Sequence, residues 1–254
     1  MYKTLRHLAS AVFPRSFLLR NEELIRWPYA VCLRGSECYC NICDHRLRRF
    51  IELDNGDSLC PFCGSSSRNR RLWQLFDPNE AHGRILHFSP ARPLYRRLKP
   101  LLGDRYVSTD FECQFLAQHS YDITSMPESD NSFDTVICFH ILEHIEDDEN
   151  AISELHRVLK PGGVAFIQTP FRDGETYENP AVKTPAARLV HFEQEDHVRV
   201  YSVEGLTQRL TKHGFDVTVD RGKARDSVSL GLSKDEVILT CIKLRRAHTE
   251  KAAA

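Results

Sequence analysis

Residues 131–163 read NSFDTVICFHILEHIEDDENAISELHRVLKPGG, and this stretch decides the fold. Its first part, residues 135–139, is a short apolar run that predicts a buried strand. Residues 148–159 carry their apolar side chains at helical spacing, so they predict an amphipathic helix. Pro161, Gly162 and Gly163 end that helix, and the apolar residues 164–168 predict a further strand. The stretch therefore predicts a strand–helix–strand unit.

The same alternation extends to both sides of this unit. Further strands are predicted at residues 84–88, 106–109, 215–219 and 237–244, and further helices at 93–102 and 202–213. Strands separated by helices are typical of a parallel, doubly wound α/β sheet. The long polar section at about 171–200 interrupts the alternation and predicts a lid or a substrate-binding wall.

The cysteines are concentrated near the N-terminus, where six of the nine lie between Cys32 and Cys63. Two C-x-x-C pairs, Cys40 with Cys43 and Cys60 with Cys63, are separated by sixteen residues. Four thiolates supplied by two tight turns are a preferred ligand set for structural zinc, whereas a redox dithiol would need only one pair. The spacing predicts a small zinc ribbon over residues 35–76, with a hairpin between residues 48–53 and 58–59.

The purpose of this ribbon has two interpretations. Six arginines and three aromatic residues in and beside it suggest contact with RNA or a phosphorylated substrate. They are Arg46, Arg48, Arg49, Arg68, Arg70, Arg71, Phe50, Phe62 and Trp73. Four acidic residues, Asp44, Glu52, Asp54 and Asp57, weaken that case. A scaffold or substrate-positioning role is therefore favoured.

Residues 1–34 form a leader whose first twenty residues contain no acidic side chain. Its mixture of basic and apolar residues predicts a short amphipathic helix that docks on its own protein, with weak peripheral membrane contact as the alternative. The chain has no apolar run long enough for a transmembrane segment, and its net charge of −1 gives no global attraction to nucleic acid. Clustered, metal-type cysteines favour a reducing, cytoplasmic location.

An acidic residue stands where a nucleotide-like cofactor would need one. Asp110 ends the predicted second strand, about twenty residues after the first strand. At that place a carboxylate can accept hydrogen bonds from ribose hydroxyls. The alternative is an aspartate that only shapes a turn or caps a helix.

An ordered set of motifs between residues 83 and 170 resembles the type 11 class I methyltransferases. It comprises Asp122-Ile123, Met126-Pro127, NSFDTVIC at 131–138, HILEHIED at 140–147 and ELHRVLKPGG at 154–163. The sequence DHVRVY at 196–201 resembles a branch of that family that carries a cysteine ribbon in front.

The resemblance implies a mostly parallel, seven-stranded, Rossmann-like methyltransferase domain over residues 83–254, with S-adenosylmethionine as cofactor. It implies that Asp110 binds the ribose and that Asp122 and Ile123 lie beside the adenine. His87, Ser89 and His140 would line the same cofactor.

The first loop departs from the family pattern. The usual glycine-rich loop is replaced by HFSPARP at residues 87–93. Glycine lets a backbone approach its ligand closely, so the loss raises the alternative of a non-catalytic binding module. Residues 140–144 also match the H-x-x-E-H pattern of zinc peptidases, but that chemistry requires a long helix, whereas this motif follows a strand directly.

Methyl transfer to oxygen is assisted by a base, and three histidines are candidates: His144, His197 and His140. Each of them could instead have a structural role. The candidates for substrate contact are Glu143, His191, Arg199 and Tyr201, with a solvated charged loop as the alternative. We expect methylation of an oxygen or nitrogen on a small molecule, such as a saccharide or glycan-related metabolite. An RNA base methyltransferase that grips RNA through the ribbon is the alternative.

Overall fold

The computed structural model describes residues 17, 21–221, 228–233 and 236–245. Six α-helices in these ranges are α1 (Glu22–Val31), α2 (Ser67–Leu75), α3 (Arg92–Leu102), α4 (Asp148–Val158), α5 (Pro185–Phe192) and α6 (Val203–Lys212). The strands are β1 (Arg34–Cys40), β2 (His45–Leu47), β3 (Ile51–Glu52), β4 (Ser58–Leu59), β5 (Ile85–Phe88), β6 (Tyr106–Thr109), β7 (Phe133–Phe139), β8 (Leu159–Gln168), β9 (Phe171–Arg172), β10 (Tyr177–Glu178), β11 (Arg199–Ser202), β12 (Phe215–Asp220) and β13 (Ile238–Lys243). Most of the predicted leader, residues 1–16 and 18–20, lies outside the described residues.

The chain folds into two compact units. One takes in Met1–Ala81, Pro90–Asp104 and Arg221–Glu236, as far as these are described. The other takes in His82–Ser89, Arg105–Asp220 and Val237–Ala254, again as far as described. Among the described residues, no helix is long and apolar enough to cross a membrane.

The second unit is built on a sheet with the strand order β12-β13-β8-β7-β5-β6. Strands β6, β5, β7 and β8 are parallel, and β13 runs antiparallel to both β8 and β12. The predicted mostly parallel α/β fold is confirmed, but the described residues form six strands rather than the seven expected. Beyond β6 the described residues make an isolated bridge between Thr109 and His119 in place of a further strand.

The core of this unit follows from the apolar spacing in the sequence. Strands β5 and β6 are buried along their whole length, as expected for parallel strands covered on both faces. The α4 helix buries Ile152, Leu155 and Val158 on one side. Its start is fixed by Asp147, whose side chain accepts a hydrogen bond from the amide of Asn150. Strand β8 begins at Leu159 and runs through the Pro-Gly-Gly turn, five residues earlier than predicted.

The polar section after β8 is folded as well. It contains α5 and a small sheet in which β11 pairs antiparallel with β10 and parallel with β9. Thr184 caps α5 through a hydrogen bond to the amide of Ala187, and Ser202 caps α6 in the same way through Gly205. This section therefore has defined secondary structure that polar composition alone did not predict.

The first unit contains two hairpins that carry the cysteine pairs. Strand β1 pairs with β2 around Cys40, and β3 pairs with β4 just before Cys60, a shorter hairpin than predicted. Because so small a ribbon buries little apolar surface, other contacts must hold it. The guanidinium of Arg70 is fully buried and donates hydrogen bonds to Ser58 O at 3.0 Å and Gly231 O at 2.7 Å. The ribbon is thus tied to described residues near the C-terminus of the chain.

Candidate functional site

Three loops follow the carboxyl ends of neighbouring strands β6, β5 and β7 in the sheet. Ser89, directly after β5, has φ 41°, and His140, directly after β7, has φ 54°. Both are non-glycine residues in the left-handed region, which is uncommon and tends to occur where a site imposes the backbone conformation. The amide of Ser89 donates to Thr109 O at 2.7 Å, and that of His140 donates to Gln168 O at 2.8 Å.

Asp110 lies at the end of β6, within this group of loops, and is 4% exposed. Its Oδ1 accepts a hydrogen bond from the Ser89 hydroxyl at 2.6 Å. Its Oδ2 accepts from the amides of Gln114 at 2.5 Å and Phe115 at 2.9 Å. A carboxylate has about four acceptor positions, so these three bonds leave one for a further donor. The structure therefore gives Asp110 a turn-forming role, and binding of a ribose stays a prediction.

The two residues predicted to lie beside the adenine differ in exposure. Asp122 is exposed, and its Oδ1 accepts from the amide and hydroxyl of Thr124 at 2.8 and 2.7 Å. These hydrogen bonds lower the pKa of the Asp122 carboxyl. Ile123 is 4% exposed and belongs to the apolar core of the second unit.

His87 lies inside β5 and not in the loop that follows it. Its side chain is 2% exposed, and its Nδ1 is 2.9 Å from the hydroxyl oxygen of Tyr106 on β6. Burial lowers the pKa of His87 to about 3, so the ring is neutral at physiological pH. As a cofactor contact His87 stays a prediction; its described partner is Tyr106.

The three candidate bases meet around the carboxylate of Glu143, with His140 and His144 on the turn after β7 and His197 in the segment before β11. His144 and His197 have ring centroids 4.7 Å apart at 82°, and Nδ1 of His140 lies 3.1 Å from Oε1 of Glu143. Ligand atoms of Glu143, His144 and His197 all lie within 4.8 Å of one another. Burial lowers the pKa of His197, and the neighbouring His144 lowers it further. The sequence named these residues separately, whereas the structure groups them.

Arg199 and Tyr201 lie on β11 and are 6% and 0% exposed. The Arg199 guanidinium donates to Leu142 O at 3.2 Å and Glu146 O at 2.9 Å, and also to Ile145 O. These contacts give Arg199 a structural role, because its guanidinium group binds several carbonyls of the turn after β7 at once. Contact with a substrate stays a prediction for both side chains.

The sequence analysis missed an acidic residue that these two side chains share. Asp148, the first residue of α4, is 4% exposed and accepts a hydrogen bond from the Tyr201 hydroxyl at 2.5 Å. It also pairs with Arg209 and lies 3.5 Å from Arg199. Its only sequence signal is its place in the first turn of a helix, which aspartate favours for other reasons. His191, by contrast, is exposed, and its Nδ1 lies 2.7 Å from the Tyr177 hydroxyl.

The four cysteines of the two C-x-x-C pairs converge in the first unit. Sγ of Cys40 lies 3.7 Å from that of Cys63, and Sγ of Cys43 lies 3.7 Å from that of Cys60. All four sulfurs are within 4.8 Å of one another. Zn–S bonds of about 2.3 Å in a tetrahedron separate the sulfurs by about 3.8 Å, so the cluster has the dimensions of a zinc site. Arg70 lies nearby, and attraction to these thiolates opposes the lowering of its pKa by burial.

Comparisons with known proteins identify the family. The family model described as "Methyltransferase domain" matches residues 55–219. A Mycolicibacterium smegmatis protein named "Probable S-adenosylmethionine-dependent methyltransferase" is 34% identical over 109 residues, which are 38% of this chain and 42% of the relative. Demethylmenaquinone methyltransferase of Streptomyces avermitilis is 31% identical over 123 residues, 43% of this chain and 53% of the relative. The matches thus span about half the length of these relatives.

Other similar proteins extend the range of substrates named. The tRNA N(3)-cytidine methyltransferase METTL2 of Bos taurus is 31% identical over 111 residues, 39% of this chain and 29% of the relative. Among solved structures, phosphoethanolamine N-methyltransferase 2 of Haemonchus contortus covers 70% of this chain and 53% of its own, with 16% identity and a TM-score of 0.48. Because the family model covers more than half of the residues, the chain belongs to the class I S-adenosylmethionine-dependent methyltransferases.

Proposed function

We propose that this protein transfers a methyl group from S-adenosylmethionine to an oxygen or nitrogen of a small molecule, such as a glycan-related metabolite. The observation that carries the proposal is the group of loops at the carboxyl ends of β5, β6 and β7. There Ser89 and His140 adopt left-handed conformations, and the Ser89 hydroxyl donates to the buried carboxylate of Asp110. In open α/β sheets, ligands bind outside the carboxyl ends of the strands.

The residues of these loops fit such a cofactor. Asp110 has one acceptor position left for a ribose hydroxyl, and the Ser89 hydroxyl orients its carboxylate. Asp122 would lie beside the adenine, with Ile123 supplying an apolar surface. The sulfonium of the bound cofactor would provide an activated methyl group and a neutral leaving group. A cationic sulfonium carries no pyrophosphate, so a serine can replace the glycines that cradle phosphates in related folds.

The acceptor side would be formed by the turn after β7. Transfer is in line, so the protein must align nucleophile, carbon and sulfur and exclude water. His144 is half-buried and His197 is almost fully buried, and both can take a proton from an acceptor hydroxyl. The Arg199 guanidinium stabilises this turn by donating hydrogen bonds to three of its backbone carbonyls.

The ribbon would hold one structural zinc ion through Cys40, Cys43, Cys60 and Cys63. The sulfur separations of 3.7 Å support this assignment, as does the charge of nearby Arg70, which offsets part of the excess negative charge of a zinc ion held by four thiolates. Zinc would supply no chemistry there, because four protein ligands leave no open position.

Calorimetry with S-adenosylhomocysteine tests the main proposal. Wild-type protein should bind it, and Asp110→Asn should bind at least about tenfold more weakly, because a charge-assisted hydrogen bond contributes about 1.5–3 kcal/mol. Asp104→Asn, at an exposed aspartate, is the matched control and should bind like wild type. Absence of binding to wild type at millimolar ligand would instead support a non-catalytic module. Equal affinity of Asp110→Asn would show that the cofactor lies elsewhere.

RNA is the second candidate substrate, favoured by the likeness to a tRNA methyltransferase and by exposed Arg46, Arg48 and Arg49 on the ribbon. Arg70 and Arg71, which the sequence also suggested, are buried and unsuited to this role. Affinity for RNA that falls steeply with added salt would support this candidate. RNA binding that stays undetectable at low salt would exclude it.

A further inference from the structure

The fold buries the carboxyl group of Glu143 without giving either oxygen a hydrogen bond from the described residues. Its side chain is 1% exposed. Oε1 lies 3.1 Å from Nδ1 of His140, but neither oxygen accepts a hydrogen bond from the described residues. A buried carboxylate is costly unless it is paired and hydrogen-bonded. Such a group persists where it binds something, so its surroundings indicate what that is.

Those surroundings are two imidazoles. Oxygen of Glu143 and one ring nitrogen each of His144 and His197 lie within 4.8 Å of one another. Two histidines and one carboxylate are a recurrent ligand set for divalent transition metals, and three protein ligands leave coordination positions open. Small rotations of the side chains would bring these atoms to the separation of about 3 Å that metal–ligand bonds of about 2.1 Å require.

Each histidine also has an outer partner that orients its ring. Nδ1 of His144 lies 3.3 Å from Oδ2 of Asp196. The ring of His197 forms a hydrogen bond with the backbone of Phe192. Histidines that bind metals almost always donate their other N–H to a carboxylate or a carbonyl. The two rings therefore have the outer contacts that metal ligands have.

The backbone holds the two segments of the cluster together. The amide of Val198 donates to Glu143 O at 2.9 Å, which joins the turn after β7 to the segment before β11. Arg199, the next residue, donates to carbonyls on either side of Glu143. Ligands fixed by such a framework need little reorganisation to bind an ion. The arrangement also differs from the peptidase pattern, since the third ligand is His197, and His140 and His144 do not share a long helix.

We propose that Glu143, His144 and His197 bind a divalent first-row transition metal ion with open coordination positions for an oxygen of the methyl acceptor. This role for the ion rests on the proposed methyltransferase function, whereas the ion site itself does not. When His144 and His197 bind the ion, they no longer act as bases; the metal-bound hydroxyl of the acceptor is more acidic and loses its proton to solvent instead. Its oxygen then attacks the methyl carbon, and the carbon–sulfur bond breaks with its electron pair remaining on sulfur. The products are the methyl ether, S-adenosylhomocysteine and one proton.

Cobalt titration of the zinc-loaded, full-length protein tests the site. With the cysteine cluster already filled, wild type should bind one further equivalent of Co2+. The visible bands of that ion should appear without the intense near-ultraviolet band that thiolate ligands give. Asp196→Asn, which removes a hydrogen-bond partner of a ligand, should weaken Co2+ binding roughly 10- to 100-fold. Glu143→Gln and His197→Ala, which remove ligands, should weaken it by more.

Matched controls are Glu204→Gln and His82→Ala, which alter exposed residues of the same types and should bind Co2+ like wild type. Glu143→Gln should keep about the heat stability of wild type without metal, because the amide has the same shape as the carboxyl group. Unchanged Co2+ affinity in Glu143→Gln, or no second equivalent in wild type, would overturn the inference. Calorimetry with S-adenosylhomocysteine is independent: ligand binding without Co2+ binding refutes only the metal site, and the reverse result refutes only the methyltransferase proposal.

Discussion

Replacing His87 should remove a defined part of the pH dependence of stability. The side chain is 2% exposed inside β5, and its Nδ1 lies 2.9 Å from the Tyr106 hydroxyl. Burial lowers its pKa from 6.5 to about 3. Between these two values the unfolded chain binds a proton that the folded chain does not. The stability associated with a neutral His87 is therefore complete above pH 6.5 and is lost as the pH falls towards 3.

The size of the effect follows from that shift. At pH 5.5, one unit below the unfolded pKa, protonation of the unfolded state lowers the free energy of unfolding by about 1.4 kcal/mol, and at pH 7.5 the effect is near zero. His87→Gln has no such proton and can still form a hydrogen bond with Tyr106. The destabilisation caused by His87→Gln should therefore be about 1.4 kcal/mol smaller at pH 5.5 than at pH 7.5.

Urea unfolding followed by circular dichroism at the two pH values measures this difference. Other titrating groups are common to both proteins, so they cancel when the variant is compared with wild type. His82→Gln, at an exposed histidine, is the matched control and should differ from wild type by the same amount at both pH values. If His87→Gln also showed an equal difference at both values, the ring would be solvated or ligand-facing in solution, and its burial against Tyr106 would be refuted.

Three further predictions concern the cysteine cluster, a half-buried carboxyl and the turn after β7. Cys60→Ser should lose zinc measured by mass spectrometry and melt at lower temperature, whereas Cys32→Ser, at an exposed cysteine, should keep both; equal zinc content in the two would contradict the ligand set. Burial raises the pKa of Glu236 to about 7, so the folded state holds a proton between pH 4.5 and 7 that the unfolded chain has lost, and stability falls as the pH rises through that window. Glu236→Gln should thus raise the melting temperature more at pH 8 than at pH 5, while Glu80→Gln, at an exposed position, should show no such difference. Arg199→Lys should lower the free energy of unfolding by about 2 kcal/mol or more in urea titrations, because lysine cannot reach three carbonyls at once; an unchanged midpoint would show that the fork is dispensable.

Local pattern was enough to predict most of the second unit. The strands β5, β6 and β7 and the helix α4 lie within two residues of their predicted positions, because apolar spacing directly records which side chains are buried. The convergence of the four cysteines was foreseeable for the same reason, since two C-x-x-C turns have few other ways to be satisfied. That the described residues form six strands and not seven was not foreseeable from family resemblance, because it depends on whether residues near His119 pair beyond one bridge.

Polar contacts between residues far apart in the chain could not be predicted from the sequence. Arg199 reads as a loop arginine suited to a substrate anion, but it is buried against carbonyls more than fifty residues earlier in the chain. His197 joins Glu143 across a similar distance. Spacing within a segment carries no information about which distant carbonyl or carboxylate a charged side chain will meet. Arg70 shows the same limit, since its burial depends on Gly231.

The serine in the first loop connects the departure from the family pattern to the site. A residue at φ 41° would ordinarily be glycine, and the left-handed conformation costs a non-glycine residue roughly 1–2 kcal/mol. Ser89 offsets part of that cost, because its hydroxyl binds Asp110 at 2.6 Å and its amide binds Thr109. The backbone conformation that glycine would provide is therefore retained, and the side chain added there orients the carboxylate expected to meet the ribose. A loop that had lost its cofactor would be expected to relax to an unstrained backbone. The left-handed conformation at Ser89 therefore favours a modified cofactor site over a non-catalytic module.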